Sequence, residues 1–89
     1  MSIALNDIGA ERLRQISIEG WSHEHDDEHT CGQLASAAAC YALSERLNGH
    51  WPWAASWWKP ADRRRDLVKA GALIVAEIER LDRNRDNKS

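Results

Sequence analysis

Leu67, Gly71, Ile74, Ile78 and Leu81 recur at spacings of 4, 3, 4 and 3, the period of an α-helix with one apolar face. Val68 and Val75 widen the stripe. A chain with this pattern needs a surface to lay it on, so the spacing predicts a helix serving as the seam of a bundle. Asp62 follows Lys59-Pro60, where proline disfavours a continuing helix, and can cap this third helix. Gly71 within the seam admits a close backbone contact, for which an alanine-rich neighbour is suited. After Leu81 the residues turn polar and are expected to fray, leaving a core of about 7–83 and a polar tail 84–89.

Two further helices precede it. The first is expected from Asp7 to Glu19, capped by Asn6 or Asp7 and stopped by Gly20, with Ile8, Leu13, Ile16 and Ile18 as a ragged stripe. The second is expected from Cys31 to Leu47. There Thr30-Cys31-Gly32-Gln33 fits a capping box and Leu34, Ala37, Ala38, Tyr41 and Ala42 share a face, before Asn48-Gly49 ends the helix. No strand-like alternation and no internal repeat occurs. The expected fold is all-α: one compact three-helix domain over residues 1–89.

An 89-residue chain buries only about 60–65% of its unfolded surface, so its core is marginal. A homo-oligomer or a bound ligand is the expected complement. The balance of 12 Lys and Arg against 14 Asp and Glu, a net charge of -2, excludes a polycation that coats nucleic acid in bulk. No apolar run reaches the roughly 18–20 residues of a membrane span, and no basic-then-apolar leader opens the chain. A cytoplasmic protein of the host cell, with no membrane partner, is expected. Cys31 and Cys40 on one helix would lie about 13 Å apart along its axis. A disulfide needs Cα atoms within about 7 Å, so reduced cysteines are expected.

Two loops carry the chemistry. From His23 to His29 seven consecutive residues are ionisable. If this stretch is helical, His25 and His29 share a face with Asp26 beside His29, a spacing that can ligate Zn, Mn or Fe. The plainer alternative is an acidic segment that complements the N-terminus of the next helix. In the second loop, Trp51, Trp53, Trp57 and Trp58 fall within eight positions of a chain that has five Trp and no Phe. These rings either plug the open end of the bundle or stack on a ligand, since an indole N–H demands a partner that bulk apolar filling would not. Lys59, Arg63, Arg64 and Arg65 follow directly. Stackable rings beside a cationic helix start are what a nucleotide requires. The alternative is that Arg63–Arg65 pair with the acidic loop.

The strings Glu19-Gly20-Trp21, Glu24-His25-Asp26-Asp27 with His29, Ala37–Ala42, Trp51-Pro52-Trp53, Trp57-Trp58-Lys59-Pro60 and Arg65–Leu73 with Ala76–Arg83 resemble a small domain of phage and prophage accessory proteins. The domain occurs free-standing and as a tail of larger chains. The likeness extends from about Glu11 to Arg83. It implies an origin, a phage accessory gene of the kind whose small products often interfere with host defence, and it carries over no catalytic roles.

Three functions stay open. The first is a binding protein that sequesters a nucleotide or nucleotide-derived signal without turnover, through Trp51, Trp53, Trp57, Trp58, Lys59, Arg63, Arg64 and Arg65. The second is a small all-α nucleotide hydrolase using a divalent metal, with Glu24, Asp26, Asp27, Glu28, Glu77 and Asp82 as carboxylates. It lacks a clean Glu-x-x-Glu and Glu-x-x-Asp pair. The third is an inhibitor of a host defence protein with the Trp loop as hot spot. The first is the expectation adopted.

Overall fold

The computed structural model describes residues 2–44 and 50–87, the last two as backbone only. It is all-α, with helices α1 (Ile3–Ser17), α2 (His23–Asp27), α3 (Gln33–Leu43) and α4 (Arg63–Asn87) and a 3-10 turn at Ala55–Trp57. Among the described residues no helix is long and apolar enough to cross a membrane. The expected three helices are therefore present with one addition, since the acidic His-rich segment is itself a short helix. Cys31 and Cys40 form no disulfide; Cys40 is buried and Cys31 exposed.

The helix ends differ from expectation for local reasons. Ser2, not Asn6 or Asp7, caps α1, its hydroxyl accepting from Leu5 N–H at 3.1 Å. Helix α1 closes at Ser17, and Gly20 turns the chain with φ +76. Gly32, not Thr30, occupies the cap of α3. The expected capping box is not formed: Gln33 is the first helical residue, and its side-chain oxygen accepts from Cys31 N–H at 2.8 Å rather than from the N–H of the cap. Ser44, left-handed at φ +57, closes α3, and the expected stop at Asn48-Gly49 lies outside the described residues. Asp62 caps α4 as expected, accepting from Arg65 N–H at 2.9 Å, and the helix continues through the polar tail to Asn87.

Helix α4 is the axis of the fold and packs on all three other helices, most extensively on α3. Leu34, Ala37, Ala38 and Tyr41 of α3 meet Ala70, Leu73 and Ala76 of α4. Small residues on both sides let the two backbones approach closely. Asp66, also buried, ties this interface at its open end, accepting from Ala61 N–H at 2.7 Å and from the Ser44 hydroxyl at 3.2 Å.

The apolar seam is not where the period placed it. Leu67, Ile74, Ile78 and Leu81 are 43–52% exposed and lie on the outer face of α4. The buried residues of α4 are instead Asp66, Val68, Ala70, Ala72, Leu73, Ala76 and Arg80, of which Val68 alone belongs to the expected stripe, and the charged ends disguise the arc in the sequence. Gly71 does admit a close contact, but from Ile8 of α1 rather than from the Ala-rich helix; a Cβ there would lie 2.9 Å from Ile8 Cδ1.

Helix α1 also inverts its expected pattern. Leu13 and Ile18 face solvent, whereas Glu11, Arg12 and Gln15 are buried. Burial raises the Glu11 pKa, but hydrogen bonds from Arg14 and Arg65 outweigh it and hold the carboxyl below the usual range. Arg12 reaches both Asp26 of α2 at 2.8 Å and Glu79 of α4 at 3.0 Å. The α1 side of the core is thus joined by ion pairs together with the Ile8–Gly71 contact, and the α3 side by apolar contact.

Candidate ligand-binding site

The turn after α1 builds one wall of the site. Gly20 redirects the chain, Trp21 N–H donates to Gln15 O at 2.9 Å, and the Ser22 hydroxyl caps α2 by accepting from His25 N–H at 3.2 Å. One turn later His29 N–H donates to Asp26 O at 3.0 Å, which keeps His29 above His25. The His25 ring lies parallel to Trp21, with centroids 6.0 Å apart and 4° between planes. The two imidazoles meet edge to face, with their Nε2 atoms 3.3 Å apart.

Asp26 sits behind this pair. Its Oδ1 lies 3.2 Å from His25 Nδ1, and its Oδ2 accepts from Arg12 Nη2 at 2.8 Å. With an ionised carboxylate as acceptor, the proton belongs on His25 Nδ1 and leaves Nε2 to accept from His29 Nε2–H. Burial, and then the neighbouring His25, lower the His29 pKa from its ordinary 6.5.

The expected metal set of His25, Asp26 and His29 is not assembled as three ligands around one point. Asp26 addresses the outer nitrogen of His25 and is shared with Arg12. Among the described residues no three His, Cys, Asp or Glu gather to hold a metal ion. Asp27 of this segment pairs with Arg83 at 2.8 Å rather than with Arg63–Arg65.

The Trp-rich loop supplies the opposite wall and divides into two groups. Trp51 and Trp58 both contact Tyr41, with centroids at 5.7 and 4.8 Å, and cover the core. Trp51 Nε1–H finds its partner in Ala54 O at 3.1 Å. Trp53 also packs against the core and meets Trp51 edge to face at 5.4 Å, but it extends to Trp21 at 5.6 Å and His29 at 5.5 Å. The 3-10 turn presents Trp57, 44% exposed, with Lys59 Nζ 5.3 Å from its ring. Trp21, Trp53, Trp57, His25, His29, Ala54 and Glu19 together enclose a cavity of about 350 Å³. Hydrogen bonding from Arg14, opposed by burial and aided by Lys59, holds the Glu19 carboxyl below its usual range. Lys59 Nζ stands 3.6 Å from that carboxylate, at the rim.

Of the residues read from the sequence as ligand-binding, Trp53 and Trp57 line this cavity and Lys59 borders it. Trp51 and Trp58, half-buried against the core, do not line it. The three arginines are placed elsewhere: Arg63 donates to Ala42 O and the Ser44 hydroxyl, Arg64 pairs with Asp7 at 2.9 Å, and Arg65 binds Glu11. Sequence reasoning passed over Trp21 and Glu19 as ligand-contacting residues. The available signal was a lone fifth Trp next to a glycine, thirty residues before the cluster.

His29 gives a pH prediction. Its folded pKa lies below 6.5, so folding favours the neutral ring. The stability it contributes is complete above about 6.5 and is lost as pH falls through the folded value. Urea midpoints at pH 7.5 and 5.5 should show the acid loss, and His29→Asn should reduce it. An NMR titration placing His29 above 6.5 would contradict the assignment.

No known protein family, curated protein or solved structure matches the chain.

Proposed function

We propose that the protein is a binding protein for a nucleotide or nucleotide-derived molecule, held by stacking in the Trp–His cavity and captured without turnover. One observation carries this reading: three indoles and two imidazoles, from loops far apart in sequence, converge on a single cavity of about 350 Å³. That volume is within the usual range for small-molecule sites, which are largely apolar with a few placed polar groups. A base stacked on an indole gains roughly 1–3 kcal/mol. Lys59 at the rim supplies a cation for phosphate in the role first ascribed to the arginines.

Capture is favoured over hydrolysis by the state of the carboxylates. Of the carboxylates that hydrolysis requires, Asp26, Asp27 and Glu77 are each paired with an arginine, and among the described residues no three acids or histidines gather to hold a metal and orient water. In the phage setting that the sequence resembles, such a protein withdraws a nucleotide signal from host defence.

Calorimetry against mono-, di- and cyclic nucleotides, with recovered ligand weighed by mass spectrometry, tests the reading. Ligand recovered intact supports capture, and converted product replaces it with hydrolysis. No heat from any nucleotide, with a host protein retained through the Trp loop, replaces it with inhibition by protein contact. Trp57→Ala or Trp53→Ala should weaken binding about 5- to 150-fold, the equivalent of one lost stack. Arg64→Ala should change it less than about twofold, because Arg64 is engaged by Asp7 on another face.

A further inference from the structure

We infer that the cavity selects for an exocyclic N–H donor on its flat ligand, read by the buried amide oxygen of Gln15. This rests on the nucleotide reading above and names the part of the base that is recognised.

A second chamber of about 20 Å³ adjoins the aromatic cavity, and Glu19, Trp21 and Trp57 line both. Its volume suits one polar non-hydrogen atom, such as a single water or the tip of an amine. Gln15, only 2% exposed, forms part of its wall. The Gln15 Nε2 donates to Glu11 Oε2 at 3.3 Å, which orients the amide. Its Oε1 has no hydrogen-bond partner among the described residues. A buried amide oxygen left unpaired is costly.

The neighbouring cations do not answer it. Arg14 is held by Glu11 and Glu19, Lys59 faces Glu19, and Lys69 Nζ donates to Lys59 O at 2.6 Å. The Tyr41 hydroxyl accepts from Lys59 N–H at 3.2 Å. Gln15 Oε1 is thus left as a buried, unpaired acceptor on a residue that lines the chamber, and its complement is a group that donates. An exocyclic amine projects from the edge of the ring and can enter a space of this size while the ring remains in the aromatic cavity. Adenine and cytosine carry such an amine; purine riboside and uracil do not. A site built around an unpaired polar group discriminates strongly against an analogue that leaves it unpaired.

The experiment is calorimetry on the full chain with two probe pairs: AMP against purine riboside 5′-monophosphate, and CMP against UMP. The expected result is a preference of about tenfold or more for the amine-bearing member of whichever pair binds. Gln15→Met should abolish the preference by weakening the amine-bearing ligand alone, with folding verified by circular dichroism. Equal affinity within each pair for the unaltered protein overturns the inference and leaves the aromatic cavity as a nucleotide site. That comparison decides the matter even if Gln15→Met does not fold. A preference that persists in folded Gln15→Met also overturns it. Failure of all four probes to bind the unaltered protein removes the nucleotide reading and this inference together.

Discussion

Arg12→Met should cost about 3–5 kcal/mol of folding free energy, the loss expected when one partner of a buried ion pair is removed. Asp26 is fully buried, its Oδ2 is held by Arg12 at 2.8 Å, and its Oδ1 orients His25. Without the guanidinium, a carboxylate remains in the interior with an imidazole as its nearest partner. A domain of this size has only about 4–13 kcal/mol in total, so the variant should be near its unfolding limit. Urea denaturation against the unaltered protein measures the loss. Arg12→Met combined with Asp26→Leu should recover much of it, because apolar replacements of similar volume are tolerated where a lone charge is not. A single-variant loss below about 1 kcal/mol would show that the ion pair does not hold α1 to α2.

The second large effect separates two adjacent residues. Leu73→Ala should cost about 2–5 kcal/mol, since Leu73 is fully buried between α3 and α4. In a domain of fewer than 100 residues that corresponds to a fall of roughly 10–30 °C in Tm. Ile74, one position on, is 49% exposed. Ile74→Asp should therefore leave the helical circular dichroism signal and the Tm of the monomer nearly unchanged. If the outer stripe were the folding seam, the order of the two effects would reverse. Sedimentation of the same variant examines the oligomer expected from the sequence. A mass above 10.1 kDa that falls on Ile74→Asp would place a second copy on the stripe, and a monomer mass in both would remove that expectation.

Much of the architecture was legible because it depends on neighbours in sequence. The helix of α4, though not its seam, the cap at Asp62 and the alanine face of α3 are local, and each is found as the sequence predicts. The absence of strand alternation decided the class. Local order also brought His25 and His29 onto one side of a short segment. Periodicity, however, reports that a helix has an apolar face without reporting which face is covered. Helix α4 has two candidate arcs, one of Leu and Ile and one of Ala with Leu73, and the bulkier was mistaken for the seam. The alanines of α3 reward close approach more than bulk, and Asp66 and Arg80 enter the buried arc because Ala61, Ser44 and Glu77 satisfy them.

The same division runs through the site. The residue order determined that this chain would carry an aromatic loop, an acidic histidine segment and a basic helix start. Tertiary structure alone decided that the first two meet and the third turns away. Trp21 reaches Trp53 across thirty-two residues, while Arg64 and Arg65 are drawn to Asp7 and Glu11 on α1. The physical reason is that charges and rings find partners through space. A guanidinium beside a buried carboxylate such as Glu11 is spent on the fold, whatever its position in the sequence would suit it to bind.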